Sequence, residues 1–165
     1  MKPRPIHHIA VLALGLVLCA PASATLFSLQ AVIDGAQANA GAGTGSPGTG
    51  AATMTFDDST NVFSWDISWS GLLAPVTVAH FHGPALPDQN AGVQVNFAAI
   101  SGIVSPSVGS TTITSAQATD LLNELWYINI HTNDHPGGEI RGQVIVSDIV
   151  SNEDRSWASV KSLYR

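Results

Sequence analysis

Two short segments hold the side chains best suited to chemistry. One is His80-Phe81-His82, and the other runs from His131 to His135. Residues two apart in a strand share a face, so the first two histidines project together. The second pair flanks a turn, which brings its members close to each other. Imidazoles from neighbouring strands suit zinc or copper. The spacing therefore defines a candidate metal site with four candidate ligands: His80, His82, His131 and His135.

The same histidines also fit a structural role, as hydrogen-bond partners of backbone groups at strand ends. His80 and His82 alternate along the strand in step with Val76 and Val78 and so share their face, which indicates partial burial with hydrogen-bond partners. His131 has the parity opposite to the apolar residues of its own strand. This pattern predicts that the two pairs lie on different faces. The structural interpretation is favoured over metal, because burial with partners is the commoner fate of such residues.

Charged residues near the second segment raise two further interpretations. Glu139 and Arg141 lie two apart on one predicted strand face, so we expect Arg141 to pair with a carboxylate, either Asp66 or Glu139. The alternative is that Arg141 binds an anion above the histidines. Asp134 and Glu139 would orient metal ligands if a metal were bound.

The sequence contains no recognisable catalytic set. Serine is plentiful, but no Gly-x-Ser-x-Gly elbow occurs. The acidic residues are scattered, without a pair whose spacing indicates general acid–base catalysis. We therefore do not expect an enzyme.

The first 24 residues have the pattern of a secretory signal peptide. Lys2 and Arg4 precede an apolar run from residue 9 to residue 19, and Ala22 and Ala24 form a small-residue cleavage site. The run is shorter than the roughly 20 residues of a spanning helix, and no later run could cross a bilayer. We expect cleavage after Ala24 and a secreted or periplasmic protein.

Composition limits the kind of protein that the mature chain can be. Cys19 is the only cysteine and lies in the signal, so a disulfide framework is excluded and stability must come from a packed core. Cleavage would leave four basic residues against twelve acidic ones, and Arg141 is the only basic residue before the C-terminal tail. Without a basic patch, nucleic-acid binding is excluded.

Period-two alternation and turn residues predict an all-β domain over residues 25–147. The clearest strand is 62–69, where Phe63, Trp65, Ile67 and Trp69 point to one side. Residues 35–52 are rich in glycine, and we expect a flexible surface loop there. Thr114 and Gln117 predict a capping box and a helix that reaches residue 125. The remaining strands are predicted at 25–33, 53–56, 76–82, 93–100, 126–132 and 139–146. This order indicates an antiparallel, Greek-key-like β-sandwich or barrel with one short helix.

Several motifs resemble the CHRD domain, a module named after chordin and found in many secreted bacterial proteins. They are Gly35-Ala36-Gln37, Phe63-Ser64-Trp65, His80-Phe81-His82-Gly83-Pro84, residues 127–132, and the run from His131 to Gln143. The likeness covers roughly residues 26–146. One departure is that Ala38-Asn39-Ala40 and a glycine-rich insert replace the acidic residue and prolines usual in the family.

The resemblance implies a non-catalytic binding or structural module with an unspecified extracytoplasmic protein or surface partner. The second hypothesis is a copper- or zinc-binding protein, with superoxide-dismutase-like redox activity as an extension, because a His-x-His strand is also found in copper–zinc superoxide dismutase. Convergence of the histidine nitrogens on one point would favour this second hypothesis, whereas divergence would exclude it.

Residues 148–165 are predicted to form a polar linker and a short amphipathic tail. Trp157, Val160 and Tyr164 would share one side of a short helix. The ending resembles those of some secreted bacterial proteins, which suggests a sorting or docking tag. A terminal helix lying on the domain is the alternative.

Overall fold

The computed structural model describes residues 24–151. These residues form nine strands and two short helices. The strands are β1 (Thr25–Asp34), β2 (Thr49–Asp57), β3 (Val62–Ser70), β4 (Val76–His82), β5 (Val93–Val95), β6 (Ser107–Thr112), β7 (Tyr127–Thr132), β8 (Ile140–Gln143) and β9 (Ile145–Ser151). The helices are α1 (Phe97–Ser101) and α2 (Ser115–Leu122).

All the strand pairs are antiparallel, and they form one sheet in the order β5-β4-β7-β8-β1-β2-β3-β6, with β9 paired to β1 beside β8. Aromatic side chains of β3 and β4 touch although these strands are not neighbours in the sheet, which shows that the sheet curls. The ring centroids of Phe63 and Phe81 lie 5.0 Å apart. The prediction of an all-β antiparallel fold is confirmed.

The core lies inside this curl and is built largely from aromatic residues. Phe63, Trp65 and Ile67 are buried, as the alternation of β3 predicts. Phe63 also meets Trp126 edge to face at 5.8 Å. Such contacts add about 0.5–1.5 kcal/mol each beyond the free energy of area burial. Aromatic packing therefore holds the two halves of the sheet together without any disulfide.

The glycine-rich segment differs from its prediction. The second strand begins at Thr49, four residues before the predicted start, so the expected flexible loop over 35–52 is wrong at its end. Upstream, the hydroxyl of Thr44 donates to the carbonyl of Glu139 at 2.7 Å, and that of Ser46 donates to the Glu139 carboxylate at 2.6 Å. Small residues permit this segment to lie against the domain and to hydrogen-bond there.

The region between β4 and α2 contains two corrections. The predicted strand 93–100 is only three residues long, because Asn96 caps a second helix, α1, by accepting from the amide of Ala99. The sixth strand was not predicted. Its residues are small or polar, and its pairing with β3 supplies the register that local periodicity lacks.

The C-terminal third of the domain confirms the helix cap and revises the last strand. Thr114 and Gln117 form the predicted capping box, but α2 ends at Leu122, and Leu125 lies beyond it. The predicted strand 139–146 is two strands, separated at Val144, which is buried. The last strand reaches Ser151, past the predicted domain end at 147, and pairs there with Thr25.

The central pair for function is β4 with β7. Ala79 and Phe81 of β4 and Ile128 and Ile130 of β7 are fully buried in the core, so the alternate residues of both strands lie on the opposite face. Residues 24–151 include no helix with the length and apolar character needed to cross a membrane. The predicted signal peptide, apart from Ala24, and the predicted tail helix lie outside the described residues.

Candidate functional site

The register of β4 with β7 places three histidines on one face. His80 lies opposite Asn129, and His82 lies opposite Tyr127. His131 lies opposite Val78, which makes it a diagonal neighbour of His80. The expectation that the two histidine pairs lie on different faces is therefore wrong for these three. The reason is that Ala79 and Phe81 take the core positions of β4, which turns its histidines outward.

The three imidazoles converge on one point. The Nδ1 atom of His80 and the Nε2 atom of His131 lie 3.4 Å apart. One ring nitrogen of each of His80, His82 and His131 lies within 4.8 Å of the other two. His135, the fourth candidate ligand, lies outside this group and beside it on the surface. The structure thus brings together three of the four predicted histidines.

Backbone carbonyls orient two of the rings. His82 Nδ1 donates to the carbonyl of Ala91 at 3.0 Å, and His131 Nδ1 donates to the carbonyl of Pro136 at 2.9 Å. A carbonyl only accepts, so each Nδ1 carries the hydrogen, which leaves each Nε2 atom as an acceptor, and that of His131 accepts from His80 Nδ1. Among the described residues, His82 Nε2 is buried without a hydrogen-bond partner. Such an orphaned nitrogen requires an explanation.

The local environment disfavours protonation of His80 and His82. Burial, together with repulsion from His131 and His82, lowers the pKa of His80 to about 4. Burial also lowers the pKa of His82, with further contributions from His131 and Arg141, although the hydrogen bond to Ala91 opposes the shift. Neutral imidazole is the form that binds metal ions.

The turn after β7 is fixed from beneath by Asn129, which the sequence analysis did not select. Its side-chain amide donates to the carbonyl of Gly137 at 3.1 Å. Gly138 has a φ of 116°, and a Cβ atom there would clash with the Asn129 side chain. Only glycine fits this position. This packing holds the Pro136 carbonyl where His131 needs it.

Glu139 anchors the same turn to two other segments. Its side chain is fully buried and accepts from the Ser46 hydroxyl and the Leu73 amide through Oε1, and from the Thr132 hydroxyl through Oε2. Burial alone would raise the pKa of Glu139, but these hydrogen bonds outweigh it and lower the pKa. The carboxylate therefore stays charged and occupied.

Arg141 is not paired with a carboxylate among the described residues, which corrects the expected ion pair with Glu139 or Asp66. Its guanidinium donates to the carbonyls of Gln89 and Leu86 at 2.7 and 3.1 Å and contacts the Gln143 amide oxygen at 3.4 Å. The Arg141 side chain is 2% exposed. The fork geometry of arginine suits several carbonyls at once, so backbone acceptors replace the expected carboxylate.

A stack of three side chains links Arg141 to the cluster. The guanidinium carbon of Arg141 lies 3.5 Å from the centroid of the Tyr127 ring. The Tyr127 ring stacks on that of His82, with centroids 5.1 Å apart and planes inclined by 12°. Arg141 thus acts on His82 in two ways: through this stack, and through the 86–90 loop that precedes the Ala91 carbonyl.

An open groove borders the histidine cluster. It runs between the 90–91 segment and the 134–138 turn, and six of its lining residues matter here: His82, Ala91, Tyr127, Asn129, His131 and His135. Sequence reasoning found the histidines but missed Ala91, Tyr127 and Asn129. Tyr127 and Asn129 share the parity of His131, which was the one available signal. No pattern in the sequence indicates the role of the Ala91 carbonyl.

Comparison with known proteins gives one match. The family model described as the CHRD domain matches residues 29–144, which run from within β1 to just after β8 and include the whole histidine cluster. No curated protein and no solved structure matches the chain.

The depressed pKa of His80 predicts how stability responds to acid in metal-free protein. Between about pH 6.5 and the folded value of about 4, the unfolded chain binds a proton that the folded protein does not. The free energy of unfolding should therefore fall as the pH falls through this window. Urea unfolding in the presence of a chelator measures it, with His80→Gln as the control that lacks this titration. An equally steep fall in the control would contradict the assignment to His80.

The carbonyl contacts of Arg141 predict a large effect of a charge-conserving substitution. Arg141→Lys removes the fork and leaves a partly buried carbonyl of the 86–90 loop without its donor, which costs about 1–3 kcal/mol. We expect the free energy of unfolding to fall by about 2 kcal/mol in chemical denaturation. Gln89→Ala is the matched control, because Arg141 contacts only the main-chain carbonyl of Gln89. A loss in Gln89→Ala equal to that in Arg141→Lys would show that loop packing, not the guanidinium, matters.

Proposed function

The chain belongs to the CHRD domain family, and we propose that it is an exported binding module whose ligand is a transition-metal ion held by His80, His82 and His131. The resemblance alone favours a non-catalytic module with an unspecified ligand. In this proposal the ligand is a metal ion. This is the hypothesis of a copper- or zinc-binding protein, with three of the four predicted histidines as ligands.

One observation carries the proposal: three imidazoles from two strands each bring a ring nitrogen to within 4.8 Å of the other two, and backbone hydrogen bonds at Nδ1 orient the rings of His82 and His131. In metal sites, ligating histidines donate their other ring nitrogen to carbonyls or carboxylates in the same way. A structural role accounts for the Nδ1 atoms of His82 and His131. It does not account for the buried, unpartnered Nε2 atom of His82.

The spacing of the nitrogens fits a metal ion after small ring rotations. Bonds of about 2.0–2.1 Å in a tetrahedral site separate two ligand nitrogens by roughly 3.3 Å. His80 Nδ1 and His131 Nε2 are already 3.4 Å apart, where they share one hydrogen. An ion would replace that hydrogen, and His80 would then carry its own on Nε2. The remaining nitrogen–nitrogen distances, all within 4.8 Å, would close by small rotations of the rings.

Imidazole donors favour copper and zinc over calcium or magnesium, which prefer oxygen. Copper is expected to bind more tightly than zinc, following the usual order of divalent affinities. Superoxide-dismutase-like activity stays a prediction that only copper-loaded protein can test. The single cation among residues 24–151, Arg141, is buried, so this part of the chain offers no basic surface for nucleic acid.

Export is part of the proposal and rests on the sequence of residues 1–24. The positive residues, the apolar run and the Ala22-Ser23-Ala24 site together favour Sec-type secretion to the periplasm or the exterior. Such a compartment would supply the ion without competition from cytosolic thiols. The partner of the module, if it has one besides the ion, is an extracytoplasmic protein or surface ligand.

Metal analysis of the mature protein tests the ligand. Protein prepared without chelators, or apoprotein given Cu²⁺ or Zn²⁺ alone, should bind close to one ion per chain. His82→Ala and His131→Ala should each weaken binding by roughly 10–100-fold or more, because each removes a direct ligand. Titration calorimetry and elemental analysis provide the measurements.

His135→Ala is the matched control, since it removes a histidine that the structure places outside the three-nitrogen group. It should bind the ion with wild-type stoichiometry and nearly wild-type affinity. Folding of every variant is checked by circular dichroism. Folded protein that takes up neither ion, or loss of binding only in His135→Ala, would overturn the proposed ligand set.

Signal cleavage is tested independently of the ligand. Expression of the full chain in a host with a Sec pathway should yield protein outside the cytoplasm whose N-terminus is Thr25, as determined by intact mass and N-terminal sequencing. Ala24→Arg should block processing, because the cleavage site requires a small residue there. Uncleaved protein confined to the cytoplasm would contradict export.

A further inference from the structure

We infer that the bound ion keeps one exchangeable coordination position, which opens onto the groove and takes water, hydroxide or a small anion. This inference rests on the proposed function and goes beyond it. A closed set of four protein ligands only stores or stabilises, whereas an open position allows a substrate to bind directly to the metal. An open position would therefore allow the site to bring a second small molecule to the metal as well as hold the ion.

The number of available protein ligands supports an open position. The group of ligating side chains that converges among the described residues contains three histidines. The buried carboxylate among the described residues, that of Glu139, already accepts from Ser46, Leu73 and Thr132. Moving this carboxylate toward the histidines would break three hydrogen bonds to a buried charge.

Asp134 and His135 also line the groove but lie outside the three-nitrogen group, and hydrogen bonds fix the backbone of His135. Its amide donates to the Thr132 hydroxyl, and its carbonyl accepts from the amide of Gly138 at 3.0 Å. The turn that carries it is fixed further by Asn129 and the Gly137 carbonyl. His135 thus lines the groove without joining the three-nitrogen group.

The position of the groove is the second argument. His82 and His131 both line the groove, while the Nε2 atom of His82 is itself buried, so an ion bound by these two rings would lie in the wall of the groove. Polar groups deeper in the groove are already engaged. The Asn129 amide donates to Gly137, and the Tyr127 hydroxyl accepts from the Ala91 amide at 3.1 Å. The open side of the ion therefore faces a route by which a small solute can arrive.

Three nitrogen ligands with a water in the fourth position are the arrangement found in catalytic zinc sites, where the ion lowers the pKa of its water to about 7. The same arrangement on Cu²⁺ permits exchange of the water for a small anion. The ligand class is thus defined by size and charge: water, hydroxide, or an anion of a few atoms that donates one lone pair.

The test uses the mature protein, loaded with Cu²⁺ and probed with azide. Pulsed electron paramagnetic resonance, which counts coordinated imidazoles, should find three. Azide should then produce a saturable change in both the resonance spectrum and the optical spectrum, including a new charge-transfer band from azide to copper. His135→Ala should show the same imidazole count and the same response to azide.

Three outcomes would overturn the inference in distinguishable ways. Four imidazoles in the wild type, falling to three in His135→Ala, would identify His135 as the fourth ligand of a closed site. Copper bound by three imidazoles with no spectral response to azide would leave the metal-binding function standing and exclude an exchangeable position. Folded protein that binds no copper would overturn the proposed function together with this inference.

Discussion

The register of β4 against β7 is the constraint on which the rest of the structure depends. On one face of this pair, Phe81 and Ile128 enter the aromatic core, and on the other face the histidines converge. A shift of one residue would exchange the two faces, exposing Phe81 and burying His80 and His82 among aromatic side chains. Packing of the core therefore fixes the geometry of the site, and the two cannot vary independently.

Two buried charges hold the loops that complete the site. Arg141 binds the carbonyls of the 86–90 loop, and Glu139 binds hydroxyl and amide groups from three separate segments. Each charge is satisfied by neutral polar groups in place of an opposite charge. Because an unsatisfied buried charge is costly, each substitution at these positions should disturb a whole loop. The loops in turn present the Ala91 and Pro136 carbonyls that orient His82 and His131.

The electrostatic consequence is that two of the three clustered histidines, His80 and His82, resist protonation and so stay available to a cation. Burial and mutual repulsion disfavour protonation of His80 and His82, and Arg141 adds to the effect at His82. A divalent ion placed between the rings would give the unpartnered nitrogen of His82 a partner and replace the hydrogen between His80 and His131. Part of the affinity for a metal would then come from backbone hydrogen bonds that orient the rings of His82 and His131 before binding, so that only small rotations remain.

The sequence by itself determined the fold class, the family and the identity of the histidines. Alternation in β3 is strong because every second residue is large and apolar, and the Thr114–Gln117 cap is a local interaction that needs no partner strand. The sequence did not predict the β6 strand, the helix at Phe97 or the division of the last strand at Val144, since pairing and packing with distant segments decide them.

The site was likewise determined in part by the sequence and in part by the tertiary structure. Parity along each strand predicted that His80 and His82 project together, whereas only the tertiary structure decided that His131 joins them and that His135 does not. That decision depends on which face of β4 packs into the core and on the carbonyls of two loops, and neither is encoded in the spacing of the histidines.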